Sequence, residues 1–288
     1  MPKWVPRLWR VSLRSVRILV YGSLVPDLVY HVPRLPGPGE DIPSHSIRMH
    51  PAGGGGNVAC ALAAWSYRVR GRGNQLGDDG LGRWMRDQLV EREVDVSDDF
   101  LWAGALTPSC AIMVTPDGER TMVGSDYAGV RWLEVTDRDW DEVGVAVVDR
   151  YSGEAGAAVA AEASRRGIAL VGSDLTGAPA QLARLVVWSR AEHPDPAEAA
   201  ALTKTGPAVV LTNGAGPVLA FDQDREITVN PPAVKAADAT AAGDVFAAAC
   251  AAGIADNLNL EEIVRRAAVV TARFVTTGRA GGIPPLDA

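Results

Sequence analysis

The residue best placed to do chemistry is Asp244, in the stretch DATAAGDVFAAACAAGI from Asp238 to Ile254. Small residues Ala242 and Gly243 allow a tight turn, and Val245, Phe246, Ala249 and Cys250 then recur with a helical period. Asp244 therefore falls at a helix N-terminus, where the first amides lack intrahelical partners and the macrodipole is positive. Such a terminus holds a phosphate by backbone alone. A carboxylate in the same place can take the proton from a hydroxyl that attacks that phosphate. The plain alternative is an N-cap. A second stretch, AGGGGNVACALAAW (Ala52 to Trp65), also opens a small-residue helix. Its glycines permit close approach of backbone to a ligand, and Asn57 offers a donor and an acceptor to a polyol. Asp27, in GSLVPD, follows a strand end, the usual place for a ligand group in an open α/β sheet.

These residues need a parallel sheet to bring them together. VRILVYG (Val16 to Gly22), Val143 to Val148, Ile168 to Val171 and AVVLT (Ala208 to Thr212) read as buried strands. An Ala-rich helix from Gly153 to Arg166 separates the second from the third, and the alternation points to α/β architecture. From Leu28 to Pro51 four prolines rule out a long helix and leave short strands. SCAIMVTPDGERTMV reads as a hairpin about Pro116, Asp117 and Gly118. Arg120, just after that turn, reads as solvent-facing, with an anionic substrate as the alternative. RVRGRGNQLGDD offers a poor strand, because Gly71, Arg72, Gly73 and Asn74 stand where apolar residues are expected. That strand is predicted to be short, frayed or at an edge. Its glycines do not form a dinucleotide fingerprint, and the chain has no GxxxxGK[ST] loop.

Taken together, GSLVPD, the Gly53–Asn57 stretch and DATAAGD resemble the ribokinase-like (PfkB) carbohydrate kinases, over nearly the whole chain from about Val16. The resemblance implies an α/β fold with a central, mostly parallel sheet flanked by helices, and a small β-sheet lid built from about 28–52 and 104–125. It implies ATP-dependent phosphoryl transfer to a hydroxyl of a small sugar or polyol. Asp244 would be the base, the N–H groups around Ala242, Gly243 and Asp244 would form the anion hole, and Ala241 would complete the catalytic turn. Asp27, Gly53, Gly54, Asn57 and Asp244 would line the sugar pocket. Ser189, Thr212, Gly214, Gly216 and Gly243 would meet the nucleotide, and Glu192 would help hold Mg2+ through phosphates or water. Asp238, Thr240, Gly278 and Gly282 fall where some members bind a monovalent cation such as K+. Asp149, Arg150 and Tyr151 are candidates for a further sugar contact. Departures from the family pattern are Val25, Ser189, Pro217 and Ala239. A catalytically silent binder of the same fold and a nucleoside kinase are the alternatives, and pairing of lid sheets would give a homodimer.

Composition agrees. The 288 residues are 47% hydrophobic with a formal net charge of -7, enough chain for one large α/β domain and unsuited to a nucleic-acid surface. Cys60, Cys110 and Cys250 are widely spaced and suggest neither disulfides nor a zinc site, as in a reducing cytoplasm. Residues 1–15, basic and Trp-containing, read as a loose N-terminal extension, with an upstream translation start or an amphipathic anchor as alternatives. No stretch is long enough to span a bilayer.

Overall fold

A computed structural model describes residues 16–117, 119–127, 129–223 and 225–287. The N-terminal extension and Gly118 of the hairpin turn lie outside the described residues. Strands β1 (Arg17–Gly22), β2 (Val25–His31) and β3 (Ser46–Ala52) precede helix α1 (Gly54–Ala64). Next come β4 (Arg68–Gly73), β5 (Leu76–Gly77), α2 (Gly80–Glu91), β6 (Val94–Asp95) and β7 (Leu101–Trp102). The predicted hairpin forms as β8 (Cys110–Val114) and β9 (Arg120–Gly124). Then β10 (Val143–Asp149), α3 (Gly153–Arg165), β11 (Ala169–Ser173), α4 (Gly177–Gln181), β12 (Leu185–Ser189), α5 (Pro196–Thr203) and β13 (Ala208–Thr212) alternate. The chain closes with β14 (Val218–Asp222), β15 (Arg225–Val229), α6 (Ala242–Ala255) and α7 (Leu260–Thr277).

Nine strands form the main sheet in the order β15-β14-β13-β12-β11-β10-β1-β4-β6. All neighbours pair in parallel except the antiparallel β13-β14-β15 edge. Strand alternation sends successive side chains to opposite faces. Ile18 and Val20 of β1 enter one core with α1, α6 and α7, while Leu19 and Tyr21 enter the other with α3. Both faces are thus covered, as parallel sheets require. Among the described residues no helix is long and apolar enough to cross a membrane.

β4 corrects the reading of RVRGRG. It runs for six residues, pairs along its length with β1, and stands second from the edge, with the two-residue β6 covering it only at Val69 and Arg70. Arg72 is tolerated there because Asp139, itself fully buried, meets its Nε at 2.9 Å and its Nη2 at 3.0 Å. A buried guanidinium needs such a bidentate partner.

A separate four-stranded sheet, β3-β2-β8-β9, stands where the lid was expected. It begins at Val25 rather than at Leu28, so Asp27 lies inside a strand and is buried. Register places Asp27 opposite His50 and Cys110, Val29 opposite Arg48, and Val114 opposite Arg120.

Candidate functional site

The parallel strands end on one side of the sheet, at Gly22, Asp149, Ser173, Ser189 and Thr212. Ligands of open α/β sheets bind at that side, and α6 begins there against β10, β11 and α1. Its start has no side-chain cap; Ala241 precedes it with φ 66°, in the left-handed region. That conformation costs an L-residue about 1–2 kcal/mol. The Ala242 amide is already bound to the Ala239 carbonyl at 3.1 Å. Among the described residues, no such partner is found for the Gly243 and Asp244 amides, so the open donors are these two rather than all three of the expected set. Gly243 is exposed.

Asp244 is only partly exposed. Asn57 Nδ2 donates to its Oδ2 at 2.7 Å, which joins the two glycine-containing stretches across 187 residues of sequence. Burial pushes the Asp244 carboxyl up to about 7, the Asn57 hydrogen bond pulls it down, and the charges of Asp149 and Asp174 push it further up. A group poised near neutrality can take up a proton at working pH and release it again.

The first glycine stretch does other work. Gly53 has φ 79°, and a Cβ on it would lie 2.3 Å from the Ser23 carbonyl oxygen. A Cβ on Gly54 would lie 2.7 Å from Asp149 Oδ2. The amides at the start of α1 are used internally: Gly54 N donates to Ser23 Oγ at 2.8 Å and Gly56 N to the Ser23 carbonyl at 3.1 Å. Asp149 anchors this junction, accepting from Ser23 N at 2.7 Å and Ser23 Oγ at 2.8 Å. It is buried, and loss of solvent raises its carboxyl above the usual range. Of the three candidates after β10, Asp149 is thus structural. Arg150 lies 3.1 Å from Glu192, and Tyr151 is exposed and packs on Tyr127.

Asp27 does not stand free for hydroxyls. Arg279, which sequence reasoning missed, donates from Nη1 to its Oδ2 at 2.5 Å. Nothing in TTGRAGG marks that arginine, whose partner lies 252 residues away.

A cavity of about 490 Å³ opens beside the start of α6. Ser189, Thr212, Gly214, Ala242, Gly243 and Phe246 contribute to its wall, which is otherwise largely apolar, as small-molecule pockets are. Gly216 is not on that wall; its amide closes a turn on the Asn213 carbonyl at 2.8 Å. Glu192 is exposed and paired with Arg150. Asp174 has a positive φ of 53°, accepts from Ser189 N at 3.3 Å, and was not foreseen from sequence. Asp238 Oδ1 accepts from Thr240 N at 2.8 Å, Gly278 packs against the Asp238 side chain, and Gly282 ends the following turn. Arg120 reaches from β9 to Thr240 Oγ1 at 2.5 Å and lies 3.9 Å from Asp238.

The topology defines an α/β protein with a small separate sheet, and its uncapped helix start beside a half-buried carboxyl offers donors to an anion. The chain belongs to the pfkB family of carbohydrate kinases, whose family model matches residues 16–165 and 182–287. It is therefore a sugar kinase, a phosphotransferase with an alcohol group as acceptor. It is similar to the ribokinase of Lactococcus lactis, 25% identical over 94% of this chain and 95% of that protein. Its fold matches that of Arabidopsis thaliana ribokinase complexed with ribose and ATP, with TM-score 0.78, 22% identity and coverage of 94% and 96% of the two chains. A nucleoside kinase of Methanocaldococcus jannaschii matches with TM-score 0.75 at 16% identity, covering 93% and 94%.

Proposed function

We propose that the chain transfers the γ-phosphoryl group of ATP to a hydroxyl of a small polyol, with Asp244 as the base. The observation that carries this is the pairing of a carboxyl raised to about 7 with the open Gly243 and Asp244 amides of the same helix start. The acceptor oxygen forms a bond to the γ-phosphorus, the bond from that phosphorus to the β–γ bridging oxygen breaks, and the hydroxyl proton passes to the Asp244 carboxylate. The two amides stabilise charge on the transferring phosphoryl oxygens without reorganising. Asn57 holds the base in place.

The base and ribose of the nucleotide would occupy the cavity beside Thr212, Gly214 and Phe246. Among the described residues no three His, Cys, Asp or Glu side chains cluster as a metal cage. That donor set fits Mg2+ held chiefly by phosphate oxygens with one carboxylate, Glu192, in support. Bound there, the ion would neutralise phosphate charge. A monovalent cation at Asp238, Thr240, Gly278 and Gly282 would compete with the Arg120 guanidinium for the same carboxylate. This set does not fit a further cation in the arrangement described, and no step here depends on K+.

The outward face of the small sheet carries Ile47, Met49 and Val123, each more than a third exposed, and would pair with a second copy of the chain. Light scattering should then show a dimer that Val123→Lys dissociates.

The test of function is ADP formation from Mg-ATP across a panel of polyols. Substrate-stimulated turnover that falls about 100- to 10,000-fold in Asp244→Asn is expected. Turnover that survives the substitution would remove Asp244 as the base.

A further inference from the structure

Asp27 and Arg279 are each about nine-tenths buried, with side chains 11% and 10% exposed. The guanidinium carries five N–H donors in a planar fork, yet only Nη1 is used, on Asp27. Nε is buried and, among the described residues, has no hydrogen-bond partner. The Nε and Nη2 edge is the one that grips a carboxylate or a phosphate side-on. Leaving a buried charged donor unpaired is costly, so this open edge asks for an acceptor that the described residues do not supply.

The surroundings say what kind. Arg279 stands between two cavities. One, of about 410 Å³, lies under the small sheet and includes Arg48, His50, Arg120 and Thr240 in its wall. The other includes Asn57 and Ala241, at the Asp244 end of the site. Register explains the convergence, since Asp27, Arg48, His50 and Arg120 project from one face of the sheet. His50 is held neutral, its value lowered to about 4 by burial and by the charges of Arg279 and Arg48. Two other carboxylates border this cleft: Asp238, which accepts from Thr240 N and lies 3.9 Å from Arg120, and Asp117, which accepts from Thr115 Oγ1 and Glu119 N within its own turn. Three arginines, Arg48, Arg120 and Arg279, thus share the wall of one cleft.

We infer that the acceptor is an acidic polyol, one that carries a carboxylate or a phosphate monoester as well as the hydroxyl that is phosphorylated. Arg279 grips the anion through its Nε and Nη2 edge while Nη1 stays on Asp27. Arg120 closes on the same group from the small sheet, and Arg48 adds positive potential at the mouth. Asp27 thus acts on the substrate by orienting Arg279. The inference rests on the kinase reading for which hydroxyl reacts, and on the Arg279 geometry for what is bound.

The test uses matched sets differing only in the anion: glucose with gluconate and glucose 6-phosphate, ribose with ribonate and ribose 5-phosphate, fructose with fructose 6-phosphate. Titration calorimetry on the full chain reads binding, and ADP release reads turnover. At least one anionic compound should bind about tenfold or more tightly than its neutral counterpart, and the set in which it does so separates carboxylate from phosphate. Arg279→Lys keeps a charge for Asp27 but loses the fork, and should bring the anionic compound down to within about threefold of the neutral one. Arg120→Gln, at a half-exposed position that folding tolerates, should lose part of the preference. Equal or tighter binding of the neutral sugars, no binding of any anionic compound, or a preference unchanged in both variants would overturn the inference. Tight anionic binding without ADP release would support it and sink the kinase reading; efficient turnover of neutral sugars alone would do the reverse.

Discussion

Replacing Asp244 with Asn should make the protein more stable and less active at once, and the structure sets the size of the first effect. Folding raises this carboxyl from an ordinary 3.8 to about 7. The native state therefore binds a proton that the unfolded chain has released, and stability falls as pH rises between those two values. The contribution is fully present below pH 4 and lost above about 7. Three pH units at about 1.4 kcal/mol each give about 4 kcal/mol. Asn keeps the shape, still accepts from Asn57 Nδ2, and carries no charge to desolvate. Asp244→Asn should match wild type near pH 4 and exceed it by several kcal/mol at pH 8, a rise in melting temperature of about 7 °C for a chain of this length. Calorimetry of both proteins at pH 5, 6, 7 and 8 reads the difference directly. A gap that stays flat across that range would refute the raised value, and with it the argument that this site stores instability to keep a base near neutrality.

The same value governs rate: kcat should fall about tenfold per pH unit below 7 and level off above it, because only the ionised carboxyl accepts the proton, and a profile flat from pH 5 to 8 would contradict this. Asp149→Ala leaves the Ser23 amide and hydroxyl without their acceptor in a buried junction and should cost about 3 kcal/mol in urea denaturation. Ala241→Gly removes the cost of a left-handed alanine, partly offset by a more flexible unfolded chain, so a gain of about 0.5–1 kcal/mol with turnover retained is expected.

Most of the fold could be read from the sequence because its strands and helices carry local periodicity. β1, β10 and β13 are apolar runs whose limits the structure moves by a residue or two at most. β4 was misjudged because what makes it a strand is not local. Arg72 looks like a surface residue until Asp139, 67 positions on, is seen to receive it. The site divides in the same way. Asp244 and Asn57 were legible as members of two small-residue helix starts, although nothing in either stretch shows that they touch. Arg279 was illegible, since its meaning depends on Asp27 at the other end of the chain. The choice among Asp149, Arg150 and Tyr151 needed burial, which sequence spacing does not supply.

The two helix starts look alike in sequence and differ in chemistry. In α1 the early amides are spent on Ser23, and Asp149 fixes Ser23 in turn, so this terminus welds the end of β1 to the helix. Its glycines answer steric demands from Gly53 and Gly54 outward. In α6 a left-handed Ala241 starts the helix without a side-chain cap, and among the described residues the amides of Gly243 and Asp244 have no partner. Only the second terminus has donors to offer an anion. The welded first terminus supports the second, because it carries Asn57, and Asn57 holds the carboxyl proposed as the base. Loosening the junction, as in Asp149→Ala, should therefore reach kcat through Asn57 even where the protein stays folded, whereas the cavity beside Phe246, proposed for the nucleotide and lined by neither Ser23 nor Asp149, should bind ATP as before.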